Sequence, residues 1–245
     1  METVVIIPAR YGSTRLSGKP LLAQTGKPLI QHVVEAVRRA GKIGRIVVAT
    51  DDERIARAVQ AFGGQAVMTG AACRTGTDRL AEAAARLRLD DQDIVVNVQG
   101  DEPEMPPECV DRLVELLQSS GAPMATLAAP LAADLADNPS KVKVALDRNG
   151  RAMYFSRSRI PFDRDGTGQV RYLLHLGIYA YRAGFLKLFA SMPPTPAEES
   201  EKLEQLRALE NGYAIAVAVV DYQGCGIDTP DDYAAFVAKM KTRTD

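Results

Sequence analysis

Apolar residues fall along the chain in two alternating periods. Val4 to Ile7 is an unbroken β-branched run, the mark of a strand covered on both faces, and a Gly- and Pro-punctuated loop follows from Ala9 to Pro28. From Leu29 to Ala40 the positions Leu29, Ile30, Val33, Val34 and Val37 share one helical face, with Gly41 as the expected C-terminal glycine. The cycle repeats: a strand Arg45 to Ala49, a helix with Ile55, Val59 and Phe62 in register, a strand Ala66 to Met68, a helix Leu80 to Leu87 and a strand Asp93 to Val98. Strands alternating with helices predict an α/β fold with a mainly parallel central sheet.

Beyond a helix carrying Val110, Leu113, Val114 and Leu117, helical periodicity fades. The segments Met124 to Pro130, Val142 to Asp147 and Ala152 to Phe155 read as a second, mixed layer, so residues 124–182 are expected to contribute a smaller lobe to a single domain spanning 1–245. Tyr172 to Arg182 reads as a strand, Glu201 to Leu209 as one helix, Ala214 to Val220 as a strand, and Tyr233, Phe236, Val237 and Met240 mark a closing helix.

Composition narrows the function. The 245 residues are 46% hydrophobic, ample for a core, and a formal net charge of −1 gives no broad basic field for nucleic acid. Cys73, Cys109 and Cys225 form no CxxC pair, which argues against a disulfide framework or a zinc site and for small buried hydrophobes in a reducing compartment. The first apolar run is cut by Pro8 and has no basic leader, and no stretch approaches the ~20 apolar residues of a membrane span, so the expectation is a cytoplasmic protein that does not engage membrane.

In open α/β sheets ligands bind beyond the carboxyl ends of strands, which directs attention to three loops. Between Pro8 and Pro20, Gly12 and Gly18 let backbone approach a ligand while Arg10, Arg15 and Lys19 supply cations, a combination suited to polyphosphate. Five residues separate the two glycines and Pro20 stands where a Walker A loop needs Ser or Thr, so the grip is of another kind. Asn97-Val98-Gln99-Gly100-Asp101-Glu102-Pro103 ends an apolar strand with amides that need partners, and Asp101 suits a hard cation such as Mg²⁺. In Gly224 to Asp232, Thr229 and Pro230 read as N-cap and first helical residue, leaving Asp228 without a structural role. Thr229 sits where a dinucleotide fingerprint needs its third glycine, which removes the dehydrogenase reading.

Together these loops, with Gly76-Thr77-Asp78-Arg79-Leu80, Tyr154-Phe155-Ser156-Arg157, His175-Leu176-Gly177-Ile178-Tyr179 and Leu203-Glu204-Gln205-Leu206-Arg207, closely resemble the CMP-Kdo synthetases, the 3-deoxy-manno-octulosonate cytidylyltransferases. Ser17, where the family commonly has proline, and the stretch Asp134 to Asn138 depart from the pattern. The resemblance implies a Rossmann-like nucleotidyltransferase whose smaller lobe helps form a homodimer, with CTP and Kdo (3-deoxy-D-manno-octulosonate) as substrates, Mg²⁺ as cofactor and a role in lipopolysaccharide biosynthesis. It implies a nucleotide site of Ala9, Arg10, Gly12, Ser13, Lys19 and Gln99, and metal ligands Asp101 and Asp228, with Lys19, Asp101 and Asp228 as the catalytic set. It draws the sugar pocket from Arg15, Arg79, Gln99, Arg157, His175, Tyr179, Glu204 and Gln205, with His175 a substrate contact rather than a general base. A sialic acid synthetase would share the nucleotide loop; Phe155-Ser156-Arg157 and His175 favour Kdo. A regulatory protein that kept the fold without catalysis is the other alternative.

Overall fold

The computed structural model describes residues 1–12, 16–222, 224 and 226–242. Among them, nine strands form one sheet: β1 (Thr3–Ala9), β2 (Arg45–Thr50), β3 (Gln65–Met68), β4 (Ile94–Asn97), β5 (Met124–Leu131), β6 (Lys143–Leu146), β7 (Ala152–Ser156), β8 (Tyr172–Arg182) and β9 (Ile215–Val219). The main path runs β3-β2-β1-β4-β8-β5-β9, with β8 antiparallel to both of its neighbours and every other pairing along the path parallel.

The β-branched run explains the layering. Val5, Ile7 and Val96 face α1 (Leu29–Val37), α2 (Glu53–Ala61) and α4 (Pro107–Ser120), while Val4, Ile6 and Val95 face α3 (Gly76–Arg86) and α5 (Ala183–Ser191). A strand buried on both faces needs apolar residues at every position, which is what Val4 to Ile7 supplies. A third cluster of Leu29, Ile227, Tyr233, Phe236 and Val237 docks α8 (Pro230–Thr242) against α1 and carries the preceding loop back beside the end of β1.

Four expectations are corrected. Two strands of the expected lobe, β5 and β8, lie in the central sheet, where nearly every β5 side chain is buried; only the β6–β7 hairpin branches away, joined to β8 at Lys143. The first helix stops at Val37, where Ala40 N–H turns back to the Val37 carbonyl at 2.9 Å and Gly41 gives its amide to the Asp111 carboxylate at 3.0 Å. The expected helix Glu201 to Leu209 is two helices, α6 (Pro196–Glu201) and α7 (Leu206–Glu210), because Lys202 adopts a left-handed conformation, φ 53°, as the chain turns Leu203 inward. Cys73 is only half-buried and donates its thiol to Glu82 at 3.1 Å, whereas Cys109 is buried as expected; Cys225 lies outside the described residues.

Candidate active site

The three loops singled out in the sequence converge at the carboxyl ends of β1 and β4. Gly18, φ 64°, takes the left-handed turn that closes the first loop, and its N–H donates to the Tyr11 carbonyl at 3.1 Å. Pro20 then opens a short 3₁₀ turn, Lys19–Leu21, that aims the Lys19 side chain inward. The second loop passes so close to the first that a β-carbon on Gly100 would lie 2.8 Å from the Pro8 carbonyl oxygen. The third is tied to the second by the Ile227 N–H, which donates to the Asp101 carbonyl at 2.9 Å.

Lys19 is where they meet. Its ammonium donates to Asp101 Oδ2 at 2.8 Å, to the Ile227 carbonyl at 2.7 Å and to Asp228 Oδ1 at 3.2 Å. Two carboxylates more than a hundred residues apart thus share one cation at the floor of an open cavity of about 340 Å³. Among the described residues no group of three or more acidic, His or Cys side chains is arranged to hold a metal. A pair suffices for Mg²⁺, which is commonly held by one or two carboxylates together with substrate phosphates. Asp101 and Asp228, with oxygens converging on one cation, therefore fit that ion.

Behind Asp101 lies Glu102. Burial, reinforced by the neighbouring Asp101 charge, pushes its carboxyl up to about 7, opposed by the Tyr222 hydroxyl that donates to it at 3.2 Å. Because the folded value exceeds the ordinary 4.5, the fold favours the neutral acid. Its stabilisation is full below pH 4.5, drains as pH rises and levels off above pH 7. In metal-free protein, Glu102→Gln is expected to abolish that decline, gaining about 2–3 kcal/mol over wild type at pH 8 and little at pH 4.5. Urea unfolding at the two pH values measures it; an equal difference at both would refute the burial account.

The structure gathers part of the expected site. Ala9, Arg10, Lys19, Arg79, Gln99, Asp101 and Asp228 line the cavity; Gly12 is exposed on the loop beyond it, and Ser13 and Arg15 lie outside the described residues. Arg79 is nearly buried and already paired, donating to Asp51 at 3.0 Å and to the Thr69 hydroxyl at 2.5 Å. Gln99 Nε2 donates to the Gly177 carbonyl at 3.2 Å and so links the cavity to the β8 segment bearing His175 and Tyr179. Glu204 accepts from the Thr77 hydroxyl at 2.5 Å at the start of α3, and Gln205 is buried with Nε2 unpartnered. Arg157 stands apart from the cavity, its guanidinium donating to the backbone carbonyls of Glu201 and Pro139 at 2.7 and 2.9 Å.

Sequence reasoning missed one wall. Cys73, Arg74, Thr75 and Gly76 line the cavity opposite Lys19's loop, because α3 begins four residues before Leu80. The signal was present as Thr75-x-x-Asp78, a capping box in which the Asp78 N–H donates to the Thr75 hydroxyl at 3.1 Å while the Asp78 carboxylate receives the Arg74 and Thr75 N–H groups.

The electrostatics of the β8 side are those of a neutral wall. Burial pushes His175 down to about 3, and its ring Nε2 lies 3.1 Å from the Thr126 hydroxyl, with Phe155 edge-on at 4.8 Å and Tyr179 tilted at 5.4 Å. Burial also raises Tyr179, and Glu204 adds to that shift; Glu204 itself is raised mainly by burial.

A sequence profile described as Cytidylyltransferase matches residues 4–215. The chain belongs to the cytidylyltransferase family. This cytidylyltransferase is 55% identical over 241 residues to a protein of Syntrophobacter fumaroxidans named 3-deoxy-manno-octulosonate cytidylyltransferase, covering 97% of this chain and 96% of that one. The solved structure of a CMP:2-keto-3-deoxy-manno-octonic acid synthetase complexed with CTP superposes with a TM-score of 0.94 at 43% identity, over 99% of this chain and all of the other. A 4-diphosphocytidyl-2C-methyl-D-erythritol synthase, at TM-score 0.66 and 16% identity over 97% of each chain, shares the fold.

Proposed function

We propose that this cytidylyltransferase transfers CMP from CTP to Kdo, giving CMP-Kdo and pyrophosphate for lipopolysaccharide biosynthesis. The observation that carries the reading is the Lys19 ammonium shared by Asp101 and Asp228 in a cavity also lined by Arg10 and Gln99, in a chain alike from end to end to relatives bearing that name.

The anomeric hydroxyl of Kdo attacks the α-phosphorus of CTP in line with the departing pyrophosphate; the new P–O bond forms as the α–β bridge breaks, and the hydroxyl proton passes to solvent or phosphate. Charge accumulates on the phosphoryl oxygens and leaving group, so fixed cations are the main catalytic device. Arg10 and Lys19 bind and orient the triphosphate. Asp101 and Asp228 would hold Mg²⁺, which when bound neutralises phosphate charge and favours the alkoxide. The acceptor wall is His175, Tyr179, Glu204 and Gln205, with Gln99 between nucleotide and sugar. A His175 pushed down to about 3 stays neutral near pH 7, suiting it to hydrogen-bond sugar hydroxyls rather than to accept their proton. The unpartnered Gln205 amide offers donors to the same hydroxyls. Arg15 and Arg157, assigned to the sugar by resemblance, complete the proposal, as do Ala9, Gly12 and Ser13 around the phosphates and Arg79 at the cavity wall.

We further assign the enzyme to the cytoplasm and to a homodimer contacting through the lobe within 124–182, where Met153, Tyr154 and Phe162 are exposed. No described helix is long and apolar enough to cross a membrane.

Pyrophosphate release by purified protein with Mg²⁺, each of the four nucleoside triphosphates in turn, and Kdo or sialic acid tests the reading. Turnover is expected with CTP and Kdo alone. Turnover with sialic acid would move the acceptor, and silence with both would overturn the activity.

A further inference from the structure

We infer that Tyr11 and Arg54, neither of which lines the cavity, form a clamp that positions the Arg10 and Lys19 side chains for the nucleotide, making Arg54 a positioning residue delivered from a different element. The inference rests on the proposed nucleotide reading for its purpose and on geometry alone for the clamp itself.

The phosphate loop leaves β1 at Arg10 and returns at Lys19, and the residues just inside those two cations, Tyr11 and Gly18, close it. The Gly18 N–H donates to the Tyr11 carbonyl, and the Tyr11 ring packs on Gly18 so tightly that a β-carbon there would stand 3.2 Å from the ring carbons. Glycine at 18 thus meets two demands at once, a left-handed backbone and room for the ring. The position of that ring therefore sets the span between Arg10 and Lys19.

What fixes the ring comes from the first turn of α2, the helix that follows the neighbouring parallel strand β2. The Arg54 guanidinium lies 3.4 Å from the Tyr11 ring centroid, a stacked cation–π contact. The guanidinium is itself immobilised: Nε and Nη2 donate to the two oxygens of Asp52 at 2.9 and 2.6 Å, and the Arg54 N–H donates to the same carboxylate at 2.9 Å. Asp52 is the N-cap of α2, directly after β2, so its place is set by the sheet. Arg54 holds the Asp52 carboxyl down at about 2, which keeps the pair ionised across the working range. The line Asp52, Arg54, Tyr11, Gly18, Lys19 thus runs from the rigid sheet to the catalytic cation. Arginine suits the middle of it because one planar group can grip a carboxylate along its edge and stack on a ring with its face.

The test measures CTP affinity by calorimetry and exchange of the Gly18 amide in ligand-free protein for wild type, Arg54→Ala, Arg54→Lys, Tyr11→Ala and Tyr11→Phe. Arg54→Ala is expected to weaken CTP binding about threefold to fivefold and to speed Gly18 exchange by a similar factor, the size of one half-exposed cation–π contact. The KM for Kdo and the thermal midpoint should hold. Tyr11→Ala should cost about tenfold, Arg54→Lys should fall between, and Tyr11→Phe, which keeps the ring, should match wild type. Unchanged Gly18 exchange in Arg54→Ala, or equal losses for both substrates with a lowered thermal midpoint, would overturn the clamp. A wild-type protein that binds no CTP while the exchange difference persists would overturn the nucleotide reading and support the clamp by itself.

Discussion

Asp101→Asn and Asp228→Asn are each expected to lower turnover at least a hundredfold, on the order of 3 kcal/mol of transition-state stabilisation, while leaving the protein folded. Asparagine keeps shape and removes charge, so the Lys19 ammonium, bonded at 2.8 Å to one carboxylate and 3.2 Å to the other, keeps an acceptor at both positions. Any loss then reports on charge rather than on a collapsed loop. Steady-state rates across a Mg²⁺ titration check it: each variant should need more Mg²⁺ as well as turning over more slowly. Near-normal turnover with unchanged Mg²⁺ dependence would sink the metal assignment and leave Lys19 with Arg10 as the working cations.

Gly100→Ala should be nearly as damaging without touching a charged group. The added carbon would sit 2.8 Å from a backbone oxygen of Pro8, with Ile7 Cγ2 and Ala9 Cβ at 3.7 and 3.8 Å, so relief requires one loop to move away from the other. Overpacking of this kind costs about 1–3 kcal/mol of stability. A displacement approaching 1 Å at Asp101, the next residue, would cost on the order of a hundredfold in rate. Gly41→Ala is the control, since its nearest neighbour would be the flexible Asp111 carboxylate at 3.7 Å. Equal activity and equal thermal midpoints for the two variants would mean that the approach of the loops does not govern the site.

Much of the fold is legible in the sequence. Continuous burial writes itself as β-branched runs, so β1, β2 and β4 and their helices were found within a few residues, and the ends of those strands located the cavity. The reading weakened where burial is set by tertiary company. Met124 to Pro130 has no amphipathic period because it is an interior strand of the sheet, and a single left-handed residue, Lys202, broke a helix that its pattern presented as continuous. In the site, side chains aimed by neighbouring loops were legible as residue types, whereas the wall from Cys73 to Gly76 was hidden because a helix start was placed by apolar period instead of by its Thr75–Asp78 cap. Arg54 could not be found at all from sequence, since nothing in its surroundings marks it as the neighbour of Tyr11.

The bond between Lys19 and Asp228 joins residues 209 positions apart, and Ile227 holds the third loop to the second only once α8 has docked on Leu29. A chain emerging from the ribosome therefore carries Lys19, Asp101 and most of its sheet long before it has Asp228. Docking of α8 is thus the step that brings Asp228 to Lys19, and a chain cut before Asp228 would be left without one of the two carboxylates proposed to hold Mg²⁺.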